Sequence, residues 1–341
     1  MTLSPLNQRR LHLFRSHKRG WWSFWIFMIL FVLSLSANLI ANDKPLLIRF
    51  DGQWFVPMLH DQPETRFGGT FLTTADYRDP YVQQLINRKG WMIWPPIRFG
   101  DQTINYDLTV PTPAPPSRQN WLGTDDQGRD VLTRLLYGFR VSLLFALTLA
   151  IISSAIGIAA GALMGYYGGW IDLIGQRILE IWSGLPMLYI LIIVSSLITP
   201  GFWSLLGTMI LFSWMHLVDL VRAECLRARN MEYVRAARAM GLSDVRIIVR
   251  HLLPNAMIST LTFLPFVITG AIATLNSLDF LGFGMPPGSP SLGELLSEGK
   301  ANLDAPWLAL TAFFSLALIL TLLIFIGEAV RDAMDPRHMP R

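Results

Sequence analysis

Cysteine is nearly missing from this chain. Cys225 is the sole thiol among 341 residues, so no disulfide can form within it. Any part facing an oxidising compartment must be held by packing alone. Charge is scarce as well: only 15% of residues are Asp, Glu, Lys or Arg, against 52% hydrophobic, and the mean hydropathy is +0.40. Signatures of chemistry are also wanting. There is no Gly-x-x-x-x-Gly-Lys-Ser/Thr phosphate loop, so the chain is not expected to bind and split ATP itself. The six histidines (His12, His17, His60, His216, His251 and His338) show no His-Glu-x-x-His or paired metal-ligand spacing. No Gly-x-Ser-x-Gly elbow is present. No catalytic residue, bound metal or cofactor is therefore expected, and no nucleic-acid partner.

What is present is apolar length. Six runs are long enough to span about 30 Å of hydrocarbon as helices: Trp21–Ala41, Val141–Gly165, Ile178–Ile198, Trp203–Val221, Ala256–Leu278 and Trp307–Gly327. Twenty phenylalanines and twelve tryptophans suit a lipid-facing surface with interfacial aromatics. The expected fold class is an all-α polytopic membrane protein. Arg9, Arg10, Arg15, Lys18 and Arg19 precede the first run and hold the N-terminus in the cytoplasm. That run exceeds a signal-peptide core and lacks a small-x-small cleavage site after it, which favours an uncleaved anchor. Thr199–Phe202 has no basic residue and Asp279–Pro306 has only Lys300, whereas Arg222 to Arg250 holds seven arginines. Six spans and this asymmetry put both termini and the arginine-rich loop on the cytoplasmic side.

The expected division is a basic N-terminus (1–20), a first span (21–41), a periplasmic segment (42–139), a transmembrane core (140–327) with a cytoplasmic loop (222–255), and a cytoplasmic tail (328–341). Within 42–139, Leu46–Phe50, Trp54–Met58 and Trp91–Phe99 are short apolar runs broken by Gly, Pro and Asp, as small strands are. Pro111 to Pro116 should be extended. The segment reads either as a small domain or as a spacer packed against its own helices. From Asn120 to Arg140, a turn at Gly123 leads into an amphipathic helix carrying Val131, Leu132, Leu135 and Leu136. Asp125, Asp126 and Asp130 lack the closing glutamate of a calcium loop, so no metal site is expected there.

The most informative stretch is Glu232 to Pro254. Tyr233, Ala236, Ala237 and Met240 recur at helical spacing on one face, with Arg235 and Arg238 beside it. Gly241 stands where a helix end wants a left-handed residue; Ser243 and Asp244 suit the start of a second helix, and Pro254 marks its end. Pattern alone leaves two readings open: a rigid knob on which a soluble partner pushes, or a basic loop resting on anionic lipid.

This segment resembles the EAA loop of permease subunits in bacterial ABC importers, most closely their dipeptide/oligopeptide branch. Ala236, Ala237, Gly241, Leu253 and Pro254 match the loop pattern, while Arg235 replaces its glutamate and His251 an isoleucine. Further matching blocks run from Asn120 to Arg140, Gly165 to Asp172, Leu278 to Gly284, Pro290 to Gly293 and Gly327 to Pro336. The 42–139 segment looks like that of microcin C/oligopeptide importer permeases. The resemblance implies the type I ABC importer permease fold. It also implies a loop, from Glu232 and Tyr233 through His251 to Pro254, that docks on a separate ATP-binding subunit, which uses ATP and Mg. A second homologous permease, a periplasmic peptide-binding protein and membrane lipid are the other partners implied, and the place is the bacterial inner membrane.

Three features stay open beside this. Gly157, Gly161 and Gly165 lie on one helix face and allow close packing, either inside the chain or on a partner permease. His216 and Asp219 are the ionisable exceptions in the fourth span and belong either to a solvated end or to the translocation path. A non-transporting membrane scaffold or sensor, or a membrane enzyme with a catalytic periplasmic segment, are the alternatives to a peptide permease.

Overall fold

The structure is a computed structural model and describes residues 5–334. The end of the expected cytoplasmic tail and of the last matching block lie outside those residues. In chain order the helices are α1 (Pro5–Ser16), α2 (Lys18–Leu35), α3 (Ala37–Ile40), α4 (Pro80–Lys89), α5 (Val131–Tyr167), α6 (Gly169–Ser183) and α7 (Met187–Leu197). There follow α8 (Phe202–Ser213), α9 (Met215–Ala228), α10 (Glu232–Ala239), α11 (Asp244–Ile247), α12 (Leu253–Phe280), α13 (Leu292–Ala301) and α14 (Pro306–Met334). Three strands, β1 (Leu47–Phe50), β2 (Gln53–Phe55) and β3 (Gly90–Ile93), complete the set.

Five helical stretches are long and apolar enough to cross a membrane: Lys18–Leu35, Val131–Tyr167, Phe202–Ala228, Asp244–Phe280 and Pro306–Met334. The sixth expected span is a pair of helices, Gly169–Ser183 and Met187–Val194, bent by 69°. Gly184 and Pro186 sit at that bend; a proline lacks the N–H a continuing helix needs, and its ring crowds the preceding turn. Two further corrections concern length. The amphipathic helix expected before the second span is continuous with it, since nothing after Val131 breaks the 37-residue α5. Pro254 does not end a helix: Asp244–Phe280 runs through it, with a π-helical turn over Ile248–Leu252 immediately ahead. Proline in the first turn of α12 removes an N–H that the wide turn already leaves loosely used.

The chain divides into two compact units. One holds the residues up to Met28, Ser142–Pro286 and those from Ala317 onward; the other holds Ile29–Val141 and Pro287–Leu316. In the first unit α5 packs on α9 through the glycine stripe. A Cβ built on Gly157, Gly161 or Gly165 would lie 2.4, 2.6 and 2.6 Å from the carbonyl oxygens of Trp214, Val218 and Arg222. The stripe is thus spent inside the chain and is no argument for a second permease. Gly20 likewise lets α2 meet α14, a Cβ there falling 2.1 Å from that of Ala329, and His17 Nε2 lies 3.7 Å from Asp332.

In the second unit the strands form an antiparallel sheet of order β2-β1-β3. β1 alternates, sending Ile48 and Phe50 inward and Arg49 outward. The inward residues join Phe67, Ala75, Tyr77, Val82 and Ile86 in a small core, which makes the 42–139 segment more than a spacer. The expected strands are shorter than their apolar runs because Pro57 and Pro95 cannot donate to a ladder. α4 is capped by the Asp79 carboxylate, which accepts from the Tyr81 amide at 2.8 Å. Pro111 to Pro116 carries neither helix nor strand, and the Ala114 amide donates to Thr124 Oγ1 at 2.8 Å.

Two arginines lie buried in this unit. Arg129 Nε is 2.6 Å and Arg134 Nε 3.3 Å from the same Asp125 oxygen. Glu298 Oε1 is farther from both, at 3.4 and 3.5 Å, and its other oxygen is buried without a hydrogen-bond partner. Burial therefore outweighs the arginines and pushes the Glu298 carboxyl up to about 8. Asp126 joins Asp125 and Glu298 in the acid cluster, whose ligand atoms all lie within 4.8 Å of one another, and the two guanidiniums supply the positive charge beside it.

Candidate functional site

The Glu232–Pro254 stretch folds as a knob on the first unit. Glu232 opens α10, where a negative charge suits the helix N-terminus, and Arg238 closes it, where a positive one suits the C-terminus. The helix then stops in a Schellman arrangement: the Leu242 amide donates to the Ala237 carbonyl at 3.2 Å and the Gly241 amide to Arg238 at 3.0 Å. That stop needs φ of +76° at Gly241, a left-handed backbone that favours glycine.

The expected apolar stripe is divided by the fold. Ala237 turns inward with Val234, and both join Ile247, Ile248, Leu252, Val221, Cys225 and Ala162 in one buried cluster. Leu253 packs against the same cluster. Tyr233, Ala236 and Met240 stay outside, with Glu232, Arg235, Gly241 and Pro254. His251 is half-buried. The buried half fixes the knob to α5 and α9; the open half is unusual for its apolar content. Met240, Val245 and Val249 are 73, 69 and 58% exposed on a segment otherwise rich in arginine. Exposed apolar side chains on so polar a segment make it a candidate partner surface.

Several anchoring contacts were not signalled by spacing. Tyr166 Oη donates to Asp244 Oδ1, tying the end of α5 to the start of α11, and the Arg238 guanidinium lies 5.3 Å from the Tyr166 ring centroid. Asn255 Nδ2 donates to Tyr233 Oη at 3.1 Å. Arg222 on α9 reaches Asp172 on α6, one arm of the fork at 2.7 Å. The only sequence cue to any of these is the polar residue at the margin of an apolar run.

His216 and Asp219 are separated by the fold although they are one turn apart. His216 lines an apolar cavity of about 490 Å³ with Phe212, Phe263, Phe266, Met187 and Met209, and its Nδ1 lies 3.1 Å from the Ser213 carbonyl. Asp219 points elsewhere, accepting from Gln176 Nε2 at 3.3 Å. Because this contact is exposed and long, Asp219→Asn is expected to keep the chain's activity within about twofold of wild type, as surface changes usually cost under about 0.5 kcal/mol. Severe loss of activity at normal membrane levels would give Asp219 a functional role.

The family described as binding-protein-dependent transport system inner membrane component matches residues 157–339. The chain belongs to that family. Membership makes it a multi-pass inner-membrane permease of the type I ABC importer fold, and not an enzyme. It is 60% identical to "Inner membrane ABC transporter permease protein YejE" of Escherichia coli, over 98% of each chain. It is 55% identical to "Peptidoglycan transport system permease protein YejE" of Agrobacterium fabrum, over 98% of this chain and 94% of that one. Against "Oligopeptide transport system permease protein OppC" of Lactococcus lactis the identity is 35%, over 67% and 79%. This family assignment favours the permease over the scaffold and enzyme alternatives.

Proposed function

We propose that this permease carries peptides, or peptide-bearing fragments of larger polymers, through the inner membrane, and that the Glu232–Pro254 knob is where ATP drives it. Its relatives in peptidoglycan and oligopeptide transport systems suggest the substrate class. One observation carries the coupling assignment: the knob is locked to α5 and α9 by its buried half while Met240, Val245 and Val249 lie open. A separate ATP-binding subunit, using ATP and Mg, covers those residues in a cleft. Nucleotide-driven closure of the subunits shifts the knob, and the packed helices pass the shift on as a rigid-body change of access.

The arginine-rich loop and both termini face the cytoplasm, and the 42–139 segment faces the periplasm, where a peptide-binding protein delivers substrate. A second, homologous permease completes the path. The apolar cavity with His216 is this chain's contribution to it. The test is affinity purification of the tagged chain from gently solubilised membranes. Vanadate-sensitive ATP hydrolysis is expected in the eluate. A clean chain, under conditions that preserve a known complex, would return the knob to the lipid surface.

A further inference from the structure

The second unit contains a cleft that the transport reading leaves without a role. It has a volume of about 440 Å³, within the range of small-molecule sites, and three arginines line it: Arg78, Arg98 and Arg118. Their placement is supported by the surrounding fold. Arg78 lies 4.7 Å from the Phe99 ring centroid and donates to the Ile104 carbonyl at 3.3 Å. Arg98 lies 5.2 Å from the Trp94 ring centroid. The Trp121 indole donates to the Arg118 carbonyl at 3.2 Å, which sets those two residues together on the wall.

Among the described residues, none of the three guanidiniums has a carboxylate in ion-pair range. Two acids share the lining, against three arginines, and neither lies in ion-pair range of a guanidinium. Asp130 is buried and already taken by the Asn120 amide and the Thr133 backbone, both within 2.9 Å. Asp107 is exposed. The cleft thus carries one more cation than anion, and a guanidinium lying on a ring keeps N–H edges with which to grip a carboxylate in a fork. Trp94 and Trp121 add apolar faces that a bare inorganic anion would leave unused.

We propose that this cleft binds the free carboxylate end of a peptide, with the tryptophans holding the adjoining residues. The proposal rests on the peptide-transport reading for its ligand class, and it makes the unit a checkpoint for substrate rather than a cover. The full chain in lipid nanodiscs would be titrated by calorimetry with tri-alanine and with tri-alanine amide. The acid should bind about tenfold more tightly than the amide, as one charge-assisted contact allows. The double substitution Arg98→Gln/Arg118→Gln, both at exposed positions, should erase that preference.

Equal binding of acid and amide, no binding of either, or a preference that survives the double substitution would each overturn it. So would displacement of tri-alanine by inorganic phosphate at equal concentration, which would mean a general anion site. Loss of binding-protein capture in the double variant, without any acid preference in wild type, would assign the arginines to a protein interface and overturn it too. No ATPase is present in the nanodisc, so a failed coupling assignment leaves this outcome readable. A chain that retains its ATPase yet ignores the carboxylate would sink the cleft alone.

Discussion

Gly241→Asp is expected to abolish peptide uptake while the permease stays in the membrane at its wild-type level. The change meets no steric obstacle, since a Cβ at Gly241 has nothing within 4 Å. Its cost to folding is the left-handed backbone, roughly 1–2 kcal/mol for an L-residue, against a stability of about 5–15 kcal/mol for a typical domain. The damage falls on the interface. A carboxylate appears beside Met240, the most exposed of the knob's apolar residues, and must be desolvated or left unpaired once a partner covers it. Gly241→Asn separates strain from charge, because asparagine tolerates the left-handed region and adds no ion. It should retain most uptake. The measurement is accumulation of a labelled tripeptide in cells lacking the native copy, with immunoblotting of membranes. Normal uptake by Gly241→Asp at normal membrane levels would remove the knob from the coupling mechanism.

Gly161→Leu should have the largest effect on the protein itself. Its Cβ would stand 2.6 Å from the Val218 carbonyl and 3.0 Å from the Val221 Cβ, with Gly157 and Gly165 fixing the same distance a turn away on either side. Backbone on the opposing helix cannot swing aside as a side chain can, so α5 and α9 must part along the stripe. Overpacking costs about 1–3 kcal/mol where neighbours yield, and more where they do not. Little folded permease should be recovered, and what remains should melt well below wild type. Gly207→Leu is the control: nothing lies within 4 Å of its Cβ, and it should be recovered normally. Equal recovery of the two variants would mean that the stripe does not hold these helices together.

The sequence was most legible where one residue property decides the outcome. Apolar length marked the spans, and Gly241 marked a helix stop because few other residues adopt that backbone easily. It was less legible where the outcome depends on a neighbour distant in the chain. Nothing near Asp125 announces Glu298, and Glu298 closes the acid cluster from far downstream. The spacing of Gly157, Gly161 and Gly165 reveals a smooth helix face without revealing what lies against it; α9 does. The face shared by Ala236 and Ala237 was divided because Val234, one residue outside the stripe, pulled the helix round toward Ile247 and Leu252. Pro254 in isolation signals a stop; the wide turn before it changes its meaning.

The meeting of Gly20 with Ala329 also bears on how the chain is made. A ribosome delivers α2 well before α14, with most of the described residues between them. The groove that Gly20 opens in α2 therefore lacks its partner until α14 has been made. Only then does its proper neighbour emerge to fill it. Truncated products released before α14 would carry that vacancy permanently, which gives membrane quality control a feature by which to tell an unfinished permease from a finished one.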